Sequence, residues 1–299
     1  MSKGFALAAA VVAILIPVPA PAQTPAASAD ELLAADRAFS TAAKDKGLTD
    51  ALLAMFRDDV TMTWPKGFAN GRDEARAALL TNAANAGSRA EWTPLRAGLS
   101  ADGTQGFTFG LMTIRLHDGT VRPAKYMAYW IKGAEGWRVA AYKRAPAGPG
   151  DNPHVPMASS LPASLVAPSS DKAAIDAHVD SLKKAEQAFS DEAQKIGVGP
   201  AFAKWGRDDA VNMGPPTQPG FTVGAAAIGG DIGANGGGAP GPAGAGITWN
   251  AERAIVASSG DLGVTFGYIK AAAGNRPPAA FFTIWRRDTP ASPWRYIAE

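Results

Sequence analysis

Leu32-Leu33-Ala34-Ala35-Asp36-Arg37-Ala38-Phe39-Ser40 returns 150 residues later as Leu182-Lys183-Lys184-Ala185-Glu186-Gln187-Ala188-Phe189-Ser190. In both stretches a leucine opens, an acid stands four positions on, and a Phe-Ser pair closes. Those spacings place Leu32, Asp36, Phe39 and Ala43 along one stripe of a helix. The correspondence continues without a gap to Arg57-Asp58-Asp59 and Arg207-Asp208-Asp209, with Gly47 against Gly197. Further on, the offset becomes 157: Trp92 reads against Trp249, Arg96 against Arg253, Gly103 against Gly260, and Thr108-Phe109-Gly110 against Thr265-Phe266-Gly267. Trp130 and Trp137-Arg138 then match Trp285 and Trp294-Arg295. So long a colinear series marks an internal duplication.

Each copy reads as helices followed by strands. In the first, Ser28 with Glu31 makes a capping box for an opening helix, residues 49–56 form a second, and residues 71–82 a third. A strand over 60–64 precedes the third helix, and four apolar or alternating segments follow at 91–100, 106–116, 121–131 and 137–142. Asp102-Gly103, Asp118-Gly119 and Glu135-Gly136 supply hairpin turns between them. The second copy opens with a helix over 172–195, and Pro200 starts the next; the glycine-rich tract 229–246 replaces much of the third helix or the loop after it. Helices first and a meander afterwards predict an α+β fold: two tandem cone-shaped domains, each of about three helices packed on a curved antiparallel sheet. The expected division is a signal peptide over 1–22, a first domain over 23–144, a Pro/Ala/Ser-rich linker over 145–170, and a second domain over 171–299.

The leader reading rests on Lys3, the apolar run from Phe5 to Ile16, the breaks at Pro17 and Pro19, and the small-residue site Ala20-Pro21-Ala22. It predicts a periplasmic or secreted protein with no membrane attachment after cleavage. With no cysteine, disulfides, thiolate catalysis and Cys-based metal sites are excluded. A net charge of +2 with no block of Lys or Arg argues against nucleic acid. His117, His154 and His178 do not cluster at ligand spacing, so neither a metal nor a cofactor is expected. Ser169 with Lys172 and Ser181 with Lys184 match a Ser-x-x-Lys pattern without its companion motifs, and the glycine tract lacks the Gly-Lys-Ser/Thr end of a phosphate loop.

The opening helix, the Arg-Asp-Asp step, the Thr-Phe-Gly strand and the closing hairpin from Trp130 to Trp137-Arg138-Val139 resemble the SnoaL-like and domain-of-unknown-function 4440 branches of the nuclear transport factor 2-like superfamily. The resemblance covers both repeats. It implies a conical half-barrel with an apolar cavity between sheet and opening helix, in a superfamily that ranges from isomerases, dehydratases and cyclases to binding and association modules. Such breadth leaves chemistry to be argued from the site.

Asp36 stands out as a carboxylate on an apolar stripe, where a raised pKa would suit it to general acid–base work; a paired structural acid is the competing reading, and Glu186 in the matching place favours it. Asp58-Asp59 and Asp208-Asp209 sit where a turn enters a strand, with Arg57 and Arg207 as ion-pair partners. The strand Lys125-Tyr126-Met127-Ala128-Tyr129-Trp130 faces Ala280-Phe281-Phe282-Thr283-Ile284-Trp285, and Trp64 faces Gly214, so the first copy is the richer in polar chemistry. Tyr126 and Trp130 share one strand face; Lys125, Met127 and Tyr129 share the other. Tyr126 or Tyr129 is the candidate electrophile beside Asp36, and Phe39, Trp64, Phe109, Met127 and Trp130 are candidate pocket walls. The leading expectation is a first-domain cavity holding a small apolar molecule. The alternatives are an isomerase, dehydratase or cyclase using Asp36, and a structural pair in which the two sheets pack as an internal pseudo-dimer or the chain forms a homo-oligomer.

Overall fold

A computed structural model describes residues 23–150, 154–239, 245–271 and 277–299. The expected signal peptide over 1–22 lies outside the described residues. The first repeat runs α1 (Pro25–Ala42), α2 (Leu48–Met55), β1 (Phe56–Trp64), β2 (Gly67–Asn70), α3 (Arg72–Leu80), β3 (Arg89–Leu99), β4 (Gln105–Arg115), β5 (Val121–Gly133) and β6 (Gly136–Pro146). The second repeats that order as α4 (Lys172–Ile196), α5 (Val198–Trp205), β7 (Gly206–Asn212), β8 (Thr222–Val223), α6 (Ala225–Ile232), β9 (Ile247–Val256), β10 (Leu262–Ala271), β11 (Ala279–Arg286) and β12 (Arg295–Ala298). The strands form two six-stranded sheets, ordered β2-β1-β6-β5-β4-β3 and β8-β7-β12-β11-β10-β9. The protein is therefore α+β, with two tandem domains of one topology.

Two local expectations need correcting, and a third, left open between helix and following loop, is decided for the loop. The cap of α1 is Thr24, whose hydroxyl accepts from Ala27 N, and Pro25 follows it at a first-turn position that needs no N–H; Ser28 is already inside the helix and buried. The sheets are mixed: β1 lies parallel to β6, and β7 to β12, because the first strand returns beside the last strand of the meander. In the second repeat the third helix persists as α6, upstream of most of the glycine tract.

Both sheets curve through matched irregularities. The β3–β4 register shifts between Pro94 and Arg96, and the β9–β10 register shifts at Phe266/Gly267. Proline cannot donate to a ladder, so a bulge is where a strand tolerates it. Glycine faces each bulge, since a Cβ on Gly110 would lie 2.1 Å from Thr93 O and one on Gly267 would lie 2.0 Å from Asn250 O.

One sheet face in each domain packs on its helices. Leu32, Leu52, Trp92, Tyr126 and Trp130 belong to the first such core; Leu182, Phe189, Phe202, Trp249 and Trp285 belong to the second. The opposite faces pack on each other: Phe107, Phe109, Met127 and Tyr129 meet Val264, Phe266, Phe282 and Ile284 in one buried layer. The layer is framed by reciprocal polar contacts. Arg96 bonds the carboxylate and carbonyl of Asp209, while its repeat counterpart Arg253 bonds Thr61 beside Asp59. Asp102 accepts from Ser258 Oγ at 2.7 Å, and Asp261 accepts from Ala101 N at 3.0 Å. The hairpin turns making these contacts hold Gly103 and Gly260, each at φ 68°. Equivalent segments of the two repeats thus meet through similar, not identical, partners, as in a two-fold pairing within one chain.

The stretch after β6 is tied down along the open edge of β3. Met157 N donates to Leu95 O, Ser160 N to Ala97 O and Leu99 N to Ser160 O. That covering satisfies backbone groups an edge strand leaves unpaired. Among the described residues no helix is long and apolar enough to cross a membrane.

Candidate functional site

In the first domain, Asp36 on α1 is fully buried. It accepts from Trp92 Nε1 on β3 at 2.7 Å and from Tyr126 OH on β5 at 2.8 Å. Burial raises its pKa, opposed by hydrogen bonds from Thr108, Tyr126 and Trp92. Thr108 also accepts from Trp130 Nε1 at 2.8 Å, so the whole group closes on itself. Asp36 and Tyr126 thus meet as the helix and strand spacings expect. Tyr129 does not join them. It lies one strand position out of phase, in the layer between the sheets, and donates to Gln105 Oε1 at 2.7 Å. Phe109 and Met127 point into that same layer and not toward the helices. Phe39 stacks on Trp130 with ring centroids 6.0 Å apart in the helix-facing core.

The cavity of the first domain lies elsewhere, between α3 and the ends of β1, β4, β5 and β6, with a volume of about 720 Å³. Of the expected walls only Trp64 lines it; Asp36 and Tyr126 do not. Ile114 and Leu79 give it apolar sides, and Tyr142 and Arg144 from β6 reach in. Tyr142 OH, Trp64 Nε1 and Arg144 Nη1 are buried atoms that find no hydrogen-bond partner among the described residues. Burial pushes the Tyr142 pKa up, which keeps its proton in place. Arg144 is oriented by Asn85, whose Oδ1 accepts from Nη2 at 3.3 Å while its Nδ2 donates to Leu79 O at 2.6 Å. Lys66 and Arg122 also line it, and among the described residues the lining contains no Asp or Glu. Lys66 sits 5.6 Å over the Trp64 ring. The lining therefore presents hydrogen-bond donors and positive charge rather than acceptors.

The second domain carries the opposite set. An outer cleft of about 590 Å³ is lined by Asn212, Thr222 and Asp231 among apolar residues. It shares Val198, Asn212, Ile232 and Ile247 as walls with an inner recess of about 190 Å³ that holds Glu186, Trp249, Phe281 and Glu299. Among the described residues neither lining includes Lys or Arg. Glu186 accepts from Trp249 Nε1 at 2.8 Å, Trp285 Nε1 at 3.0 Å and Thr265 Oγ1 at 2.5 Å. Burial nevertheless pushes it up to about 7. Burial likewise pushes Glu299 up to about 7, with Lys143 opposing and Glu186 adding to the rise.

A pH dependence follows with a definite sign. Folded Glu186 holds its proton to about pH 7, whereas an unfolded glutamate gives it up near ~4.3. Between those values the folded state binds more protons, so stability is greatest on the acid side and falls as pH rises through 7. Between pH 5.5 and pH 8, Glu186 alone accounts for a loss on the order of 2 kcal/mol. Urea titrations at pH 5.5 and pH 8 check this; a protein no less stable at pH 8, or a Glu186→Gln variant with the same pH slope, contradicts it.

Sequence reasoning missed Tyr142, Arg144 and Glu299. The signal was present in the repeat alignment: Tyr142 and Glu299 each stand five positions after the matched Trp137 and Trp294. A phenol donor on β6 thus stands in one copy where the other has a carboxylate immediately after β12. Asp58 and Asp59 behave as their neighbours suggest, in exposed ion pairs with Arg72 and Arg57.

No family model matches the chain, and no curated protein matches it. Among solved structures, an NTF2-like protein with a cystatin-like fold from Novosphingobium aromaticivorans is 19% identical, with TM-score 0.32, over 39% of this chain and 80% of that one. A putative dehydratase of the NTF2-like family from Streptomyces avermitilis is 16% identical, with TM-score 0.33, over 42% of this chain and 99% of that one. A putative calcium/calmodulin dependent protein kinase II association domain from Xanthomonas campestris is 15% identical, with TM-score 0.33, over 46% of this chain and 97% of that one.

Proposed function

We propose that the chain is an exported binding protein, related to the SnoaL-like branch, whose first domain holds a small amphipathic anion. The carrying observation is that Trp64, Tyr142 and Arg144, each with a buried polar atom that finds no partner among the described residues, line one cavity whose described lining has three cationic residues and no carboxylate. The apolar walls take the ligand body, and the donors take a carboxylate or similar oxyanion head. This sharpens the expectation of a purely apolar guest, because leaving three donors unpaired around a hydrocarbon would cost roughly 1–3 kcal/mol each. Export rests on the sequence of residues 1–22. The Asp36–Tyr126 pair is satisfied internally and lines no wall of this cavity, so the reading gives it no chemistry.

Titration calorimetry with octanoate and benzoate, against octanol and benzyl alcohol, tests the proposal. The acids should bind and the alcohols should bind at least tenfold more weakly. Arg144→Met removes a charged donor, a loss of about 1.5–3 kcal/mol, and should weaken acid binding by roughly ten- to a hundredfold. Equal affinity for acid and alcohol, or an Arg144→Met protein that binds acids normally, would overturn it.

A further inference from the structure

The second domain's cleft presents the inverse of that chemistry. Its recess is walled by Trp249 and Phe281 and carries the carboxylates of Glu186 and Glu299, and the outer cleft adds Asp231. Glu186 has donors on both oxygens. Glu299 does not: its Oε2 is buried and accepts no hydrogen bond among the described residues. A buried carboxylate oxygen without a donor is costly, and aromatic faces beside it attract positive charge. The recess, about 190 Å³, is on the scale of the ~150 Å³ cavities that admit one benzene-sized group.

The charged groups around it leave room for one conclusion about sign. Glu186 and Glu299 face each other's field. The opposing charge acting on Glu299 is Lys143, on β6 of the first domain, which is itself partly buried and makes no ion pair with Glu299 among the described residues. Among the described residues no cation of the second domain lines either compartment.

We infer that this cleft is a second binding site, for a small protonated amine with an apolar body, the ammonium meeting Glu299 and the body packing between Trp249 and Phe281. The ammonium supplies the donor that Glu299 Oε2 lacks and offsets the repulsion between the two carboxylates. Asp231 at the outer cleft draws the cation in, and Asn212, shared by both compartments, stands along its way. The site is independent of the anion cavity and stands or falls separately.

The test uses the full chain titrated with benzylamine, with benzyl alcohol as the neutral partner of the same shape, read by ligand-observed NMR and tryptophan fluorescence. At pH 8 benzylamine should bind saturably and at least tenfold more tightly than the alcohol. Lowering the pH to 5.5, where Glu186 and Glu299 are both protonated, should abolish that preference. Glu299→Gln should remove it at pH 8 without altering the thermal midpoint by more than a few degrees. Asp231→Asn, far from the core, serves as the second variant and should slow association measurably. Equal binding of amine and alcohol at pH 8, no saturable binding of the amine, or an unchanged amine preference in folded Glu299→Gln each overturns the inference.

Discussion

Asp36→Ala should cost the protein roughly 3–5 kcal/mol of stability, and the loss should appear without any change in what the folded protein binds. The carboxylate takes Trp92 Nε1 and Tyr126 OH, both in a fully buried setting. Removing it orphans two donors at about 1–3 kcal/mol each and leaves a small void besides. Asp36→Asn should be milder, near ~1–3 kcal/mol, because its oxygen can still accept from Trp92 Nε1, although its NH2 can only donate to the Tyr126 oxygen and leaves that hydroxyl proton without its acceptor. Urea unfolding followed by tryptophan fluorescence measures both variants. The anion affinity of the folded fraction should stay within a factor of two, since Asp36 lies outside that cavity. A loss below about 1 kcal/mol for the alanine variant, or a collapse of ligand binding in the asparagine variant, would show that the carboxylate is not a structural anchor.

Arg286→Met should produce the second large effect, and a different one. Arg286 on β11 is 3% exposed. Its Nη1 donates to Leu99 O at 3.0 Å and Ser160 O at 3.2 Å, and its Nη2 lies 3.7 Å from Asp261 Oδ2. One guanidinium therefore joins the second sheet to the edge of the first sheet and to the connecting stretch clamped along it. Methionine keeps the apolar stem but leaves two carbonyls and a buried carboxylate short of a partner. Breaking such a buried charged pair costs about 3–5 kcal/mol. Arg286→Lys should rescue little of it, since a compact ammonium cannot span the same three acceptors. Because the lost contacts lie between the domains, urea unfolding should split into two transitions, and proteolysis should reach residues 154–170 first. A single transition within about 1 kcal/mol of the parent would remove Arg286 from this role.

Much of the architecture was legible because duplication prints every constraint twice. The Leu–acid–Phe stripe located α1 and α4, and the Asp-Gly and Glu-Gly turns marked where hairpins reverse. The parallel pairing of β1 with β6 left no such trace, since strand periodicity states which residues share a face and not which neighbour a strand takes. The same limit explains the site. Alternation along β5 correctly separated Tyr126 from Tyr129, but it could not tell which face met helices and which met the other sheet. Phe109 and Met127 were therefore assigned to a pocket when they glue the domains together. Tyr142 and Arg144 escaped notice because an aromatic and a cation near a strand's end look ordinary until the cavity around them is seen.

The back-to-back packing of the two sheets has a consequence for how the molecule could acquire its chemistry. Two separate subunits joined by such reciprocal contacts would come apart on dilution, and one gene would force both to carry the same pocket. Tethering them in one polypeptide makes the association intramolecular, at an effective concentration on the order of millimolar, and so independent of how much protein is present. It also lets each half mutate alone. Where the first copy sets Tyr142 and Arg144, the second sets a carboxylate, a division of labour that no homodimer encoded by one gene can make.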